Sequence, residues 1–326
     1  GVKFFGEGGW KLADEDERAL EDLLGTLDEP PEATFEEPAD DGSYGSRYEE
    51  LVAERFGSPL AGLRIACDCA NGAMSGVAPS VLERLGATVT AVGDAPDGRN
   101  INVGCGATDL ALLERVVSGG DFDLGVAFDG DGDRMLAVDG EGRALDGDEI
   151  IAVLALHLGV DLVVVTSMSN LGLHRLMARH GIRVVTTDVG DRYVLEALRR
   201  TGGVLGGEQS GHLIYLRGHC TGDGLVAALL LARALVETGT PLAELAAALP
   251  RFPQVQANVR VGEKRIPDPV RREVERLNES LGERGRVLVR PSGTEPVLRI
   301  LAEAESAWEA ESLCGKVTAL VQKELG

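Results

Sequence analysis

Short apolar runs alternate with amphipathic stretches along the whole chain, and this alternation predicts most of the elements. Apolar runs bounded by Gly, Asp or Pro predict strands over 63–67, 88–92, 124–128, 162–166 and 184–186. Between them, apolar positions at helical spacing predict helices over 77–85, 110–118, 171–179 and 192–200. A helix with Asp148 as its N-cap runs to about 158. A hairpin-like segment over 203–216 leads to a helix over 223–237. Upstream, 2–5 reads as a strand and 13–27 as an acidic amphipathic helix. Residues 29–41, rich in Pro, Glu and Asp, read as a surface loop or linker. Past Pro250 the pattern predicts strands over 254–261, 286–290 and 297–302, and helices over 269–281 and 306–325.

Strands alternating with helices predict parallel α/β sheets, and the last segment predicts a small α+β unit. In such sheets ligands bind beyond the carboxyl ends of the strands. A chain of 326 residues with 44% apolar content is long enough for two or three cored domains. Its formal charge, 32 − 53 = −21, argues against a nucleic-acid or anionic-membrane surface. No apolar stretch reaches membrane-spanning length, and the first residues are not a signal peptide. Five scattered cysteines with no His or Cys partner cluster point to reduced thiols in a cytoplasmic protein.

One loop carries the chemistry. After the apolar run 124–128 the chain reads Asp129-Gly-Asp131-Gly-Asp133-Arg134. Three carboxylates this close repel one another unless a cation lies among them. Gly130 and Gly132 allow the backbone to curl until all three acids face one centre. This is a hard-oxygen set suited to Mg²⁺, which commonly shares its shell with phosphate. An isolated Asp-Gly would be an ordinary turn. An EF-hand is excluded, since Arg134 and Gly140 stand where it needs Gly and Glu.

Further loops supply anion and hydroxyl partners. Arg290-Pro-Ser292-Gly293-Thr294-Glu295-Pro296 offers a guanidinium fork, two hydroxyls and a glycine turn able to form an anion nest. The plain alternative is a tight turn with an Arg290–Glu295 ion pair. Gly207-Glu208-Gln209-Ser210-Gly211-His212 presents Glu208 and Ser210 to sugar hydroxyls and His212 as a proton carrier. Asp191 and Arg192 open a helix, where Asp191 is either an N-cap or a ligand contact.

Together these loops resemble the α-D-phosphohexomutases, in family order and over essentially the whole chain. The stretch Pro96-Asp-Gly-Arg-Asn-Ile-Asn102, the stretch Cys105-Gly-Ala-Thr-Asp109 and Gln209 are most similar to the bacterial phosphoglucosamine mutase branch. The resemblance implies a remnant of the phosphoserine domain over 1–50, an α/β domain with the metal loop over 51–147, an α/β domain with the sugar loop over 148–249 and an α+β domain with the phosphate loop over 250–326. It implies conversion of glucosamine 6-phosphate to glucosamine 1-phosphate through a phosphoserine and a bisphosphorylated sugar, feeding UDP-N-acetylglucosamine and cell-wall synthesis. One Mg²⁺ would be held by Asp129, Asp131 and Asp133, with Arg134 on the transferring phosphate. Lys3 matches the family lysine considered for proton transfer, with His212 a second catalytic candidate. Glu208, Ser210, Asp191 and Arg192 would hold the sugar, and Arg290, Ser292, Gly293 and Thr294 the other phosphate. A homodimer is compatible with the family.

The sequence departs from the family in one respect. It contains no Ser-His-Asn-Pro, the motif of the phosphoserine, and it starts without Met in what reads as the middle of a strand. The expectation is a truncated chain without mutase turnover. Three alternatives stay open: a phosphomannomutase/phosphoglucomutase of the same superfamily, a haloacid-dehalogenase phosphatase, and a non-catalytic sugar-phosphate-binding module. The phosphatase reading is disfavoured by Asp133, where Thr or Val is needed, and by the lack of any Lys between Lys11 and Lys264.

Overall fold

A computed structural model describes residues 4–12, 14–26, 43–292 and 295–325. The chain separates into two compact units, one of Gly1–Thr166 with Val185–Ala246, the other of Ser167–Val184 with Ala247–Gly326.

The first unit contains helices α1 (Asp14–Gly25) and α2 (Ser43–Phe56), followed by β1 (Arg64–Asp68), α3 (Val77–Arg84), β2 (Thr88–Val92), α4 (Ala111–Ser118) and β3 (Leu124–Phe128). Every residue of β3 is buried, as its unbroken apolar run requires. The chain then turns back directly into β4 (Met135–Asp139) and β5 (Ala144–Leu145). The sheet order is β2-β1-β3-β4-β5. β1, β2 and β3 are parallel, but β4 pairs antiparallel with β3, Met135 opposite Phe128. The parallel sheet expected from the strand–helix alternation is therefore extended by an antiparallel edge, within the expected mixed α/β class. Residues 129–134 are too few for a crossover helix, so the returning strand can only be antiparallel.

Next come α5 (Gly147–Leu158), β6 (Leu162–Thr166), β7 (Arg183–Thr187), α7 (Asp191–Thr201), β8 (Leu205–Gly207), β9 (Leu213–Tyr215), α8 (Gly224–Thr238) and α9 (Leu242–Ala246), with a helix discussed below, α6 (Leu171–Arg179), between β6 and β7. The second sheet runs β7-β6-β8-β9. The cap of α5 is Asp146, not Asp148: its carboxylate accepts from the N–H groups of Asp148 and Glu149, both at 3.1 Å. Glu149 returns a bond to the Asp146 N–H at 3.2 Å, closing a capping box. Asp148 is instead a wholly buried first-turn acid.

Of the expected N-terminal strand, residues 1–3 lie outside the described residues, and Phe5 makes a single bridge to Lys11. The linker over 29–41 also lies outside them. Among the described residues no helix is long and apolar enough to cross a membrane. All five cysteines are free; four are buried and Cys220 is half-buried.

The second unit holds β10 (Gln254–Arg260), α10 (Asp268–Leu281), β11 (Gly285–Pro291), β12 (Val297–Ala304) and α11 (Ala307–Leu325), together with α6. Its sheet is antiparallel in the order β10-β12-β11. Val270, Val287, Leu298 and Val317 centre the core. Glu303 is fully buried in β12 yet satisfied: it accepts from the Leu171 N–H at 3.0 Å and from Gln254 at 2.8 Å, and it pairs with Arg286. Asn170 caps α6 through the Gly172 N–H and ties it to Phe252 in both directions.

Next to Arg286, His174 on α6 is pushed down to about 4, first by burial and then by the guanidinium. The ordinary value is 6.5, so the folded imidazole stays neutral where the unfolded one protonates. Its contribution to stability is complete above pH 6.5 and is lost as pH falls from there towards 4. His174→Gln should flatten this part of the acid-unfolding profile, as followed by urea midpoint against pH; an unchanged profile would assign the acid sensitivity to other groups.

Candidate functional site

β3 delivers the acid loop, and close backbone packing gives the loop its shape. Gly72 lies so near Gly130 that a Cβ on it would sit 2.4 Å from the Gly130 oxygen. The Ala73 N–H donates to that same oxygen at 2.9 Å. Gly132 has φ +76°, a conformation that favours glycine. The loop brings Asp129, Asp131 and Asp133 together, with an oxygen of each within 4.8 Å of the others. All the donors are carboxylate oxygens, the chemistry of a hard divalent cation, so the residues fit one. Burial, then repulsion from Asp133, raises the Asp129 carboxyl above its ordinary range, against the pull of the Arg134 N–H. Arg134 Nε lies 3.7 Å from Asp129 and 3.9 Å from Asp133.

The loop between β8 and β9 closes against this cluster. Arg134 and His212 form an antiparallel bridge, and the Met135 N–H donates to the Gly211 oxygen at 3.0 Å. The buried His212 ring stands between two acids, Nδ1 3.5 Å from Asp133 and Nε2 3.8 Å from Asp191. Glu208 accepts from the Gly190 N–H at 2.9 Å, which joins the loop to the start of α7. Ser210 is exposed at the loop tip. Gln209 donates to the capping Asp146 at 3.3 Å.

Asp191 is the first residue of α7 after the N-cap Gly190. Both its oxygens accept from Lys11 Nζ, at 2.8 and 2.6 Å. Burial opposes ionisation of Asp191, but Lys11 and His212 outweigh it and hold the carboxyl below its ordinary range. Arg192 Nε donates to Glu196 at 2.8 Å. Lys11, Asp133, Asp191, His212 and Thr221 line a cavity of about 430 Å³, with Leu20 and Leu24 of α1 as an apolar wall. This volume falls in the range of small-ligand sites.

Lys3 lies outside the described residues, as do Gly293 and Thr294. In the second unit Arg290, next to last in β11, lies opposite Arg299, and the buried Ser292 accepts from the Glu295 N–H at 3.3 Å. Glu295 also accepts from Arg299 at 3.0 Å. Lys11 and Thr221 were not anticipated. Lys11 meets Asp191 across 180 positions, and periodicity carries no signal for such a pair.

Three family models match. They are described as phosphoglucomutase/phosphomannomutase domain II over 47–142, domain III over 146–252 and the C-terminal domain over 241–320. The phosphoglucosamine mutase of Pelotomaculum thermopropionicum is 47% identical over 99% of this chain and 76% of its own. That of Bacillus subtilis is 41% identical over 100% and 76%. The solved N-acetylphosphoglucosamine mutase of Aspergillus fumigatus, in complex with GlcNAc-6P and magnesium, shares the fold at a TM-score of 0.73. It is 23% identical, over 84% of this chain and 69% of that one. A Burkholderia thailandensis phosphoglucomutase/phosphomannomutase family protein reaches 0.76 at 19% identity, over 98% and 72%.

The crowded carboxylates generate a prediction with two opposite signs. Without metal, Asp131→Asn relieves repulsion and should raise the melting temperature by about 1–2 °C. The same change should remove most of the stabilisation that millimolar Mg²⁺ gives the parent chain. A thermal-shift titration reads both, and a metal response that survives in the variant would exclude Asp131 as a ligand.

Proposed function

The chain belongs to the phosphoglucomutase/phosphomannomutase family, the α-D-phosphohexomutases, and from this premise we propose that it serves the interconversion of glucosamine 6-phosphate and glucosamine 1-phosphate. The observation that carries the proposal is the cluster of three carboxylates whose Asp133 meets His212 and the Lys11–Asp191 pair in the lining of one cavity.

Asp129, Asp131 and Asp133 would hold one Mg²⁺, which when bound neutralises charge building on a transferring phosphoryl group. The chain's own groups divide the remaining work. Arg134, more than a third exposed beside Asp129 and Asp133, can turn its guanidinium to phosphate oxygens. Glu208 and Ser210 accept and donate to sugar hydroxyls, and Asp191 and Arg192 flank them from the start of α7. Arg290, Ser292, Gly293 and Thr294 grip the phosphate that is not reacting. His212, between two acids, and Lys3 are the candidates for moving a proton at the sugar oxygen. Lys11 joins them, since it lines the cavity and its charge is balanced by Asp191.

The test is a mutase assay on the product of the gene's full reading frame with Mg²⁺, comparing glucosamine, glucose and mannose 6-phosphates. Glucosamine 6-phosphate should be preferred. Preference for glucose or mannose would keep the family and overturn the substrate reading of Gln209 and of residues 96–109. In the same assay Lys11→Met should lower kcat/KM by about tenfold or more, since it leaves the half-buried Asp191 charge without its partner. An unchanged value would reduce the pair to a strut.

A further inference from the structure

We infer that Asp223, held by Tyr48 and flanked by His219, is a positioning residue for the acid loop, and that it acts on cation binding through the backbone of Gly222 and Gly224. The inference rests on the reading of Asp129, Asp131 and Asp133 as cation ligands.

The segment from His219 to Gly224 leaves β9 and folds back along it. Ile214 bridges Gly222, and the Asp223 N–H donates to the Leu213 oxygen at 3.3 Å. Its two glycines touch the two halves of the site. A Cβ on Gly222 would stand 2.1 Å from His212 Nε2, so the imidazole lies directly on this backbone. A Cβ on Gly224 would stand 2.5 Å from the Arg134 oxygen and 2.9 Å from that of Gly132. The Gly224 N–H donates to the Gly132 oxygen at 2.9 Å, in the middle of the acid loop. The segment is therefore a template against which both the ring and the loop are set.

Asp223 fixes the template. Its buried carboxylate caps α8 by accepting from the Val226 N–H at 3.1 Å. A helix cap needs no more than this. Asp223 has two further neighbours from outside α8: Tyr48 Oη donates at 3.0 Å to its carboxylate, and His219 Nε2 stands 3.0 Å from one oxygen without a hydrogen bond. Burial, then the Asp223 charge, raises the Tyr48 hydroxyl far above its ordinary value, so it stays protonated as a donor. The His219 ring is in turn held edge-on by Phe56 at 5.8 Å. Tyr48 and Phe56 both lie on α2, so that helix anchors the acid loop from outside the site. None of the three polar side chains is among the acids that would bind the cation; they set the loop's geometry through Gly224.

Cation choice separates positioning from general stability. Mg²⁺ requires near-ideal octahedral geometry, whereas Ca²⁺ accepts irregular oxygen shells. Partners behind metal ligands typically change affinity by about 10–100-fold when removed. Tyr48→Phe removes one donor and keeps the ring. It should weaken Mg²⁺ binding by about tenfold while changing Ca²⁺ binding by less than about twofold. Isothermal titration of the chain with each ion reads this. As control, Asn170→Ala uncaps α6 in the other unit and should lower stability without changing the Mg²⁺/Ca²⁺ ratio. Equal weakening for both ions, or no change in Tyr48→Phe, would overturn the inference. A parent chain that binds neither ion would instead overturn the reading of the acid loop on which it rests.

Discussion

Repulsion among three carboxylates at the end of a buried strand is the constraint that organises the first unit. The oxygens of Asp129, Asp131 and Asp133 lie within 4.8 Å of one another, and nothing in β3 itself favours this. The loop is instead gripped from three sides. Gly72 and Ala73 hold the Gly130 carbonyl, the Gly211 carbonyl takes the Met135 N–H, and Gly224 holds the Gly132 carbonyl. Each of these grips is made by backbone, so the loop's shape does not depend on the carboxylates themselves. A site assembled this way is pre-organised: crowding of charge is settled during folding, before any ligand arrives.

The balance of charge around the cavity follows the same logic. A chain with a net charge of −21 has to receive an anion, so its cations must be local. Lys11 is already neutralised by Asp191, and Arg134 leans on Asp129 and Asp133. A bound cation would release Arg134 from that duty and leave its guanidinium to a phosphate. Under the proposed roles, cation and substrate binding would then be coupled through one side chain.

The regular elements were readable because each carries its own signal. β3, β2, β6 and α6 fall on the residues that apolar runs and helical spacing predict. The acid loop, the Gly207–His212 loop and the start of α7 stood out by residue type and spacing, and the structure brings them together. What escaped has a common physical origin. α2 buries only Val52, Ala53 and Phe56, too narrow a face to stand out in the pattern. β4 depends on the chain reversing at once after the acid loop. The capping role falls to Asp146 and not Asp148, which two neighbouring acids leave undecided until the backbone is seen. Lys11 with Asp191, and Tyr48 with Asp223, are partners 180 and 175 positions apart, specified by the tertiary fold alone.

The distribution of thiols has a practical consequence. Four of the five cysteines are sealed in the two cores, and only Cys220 is half-open, its Sγ 3.4 Å from the Gly9 oxygen. Cys220 sits inside the turn that presses on both His212 and the acid loop. A small alkylating fluorophore or spin probe would thus label the native chain at one place, without engineering. That place reports on the turn itself, so occupancy of the acid loop could be followed as a change in the signal of the label.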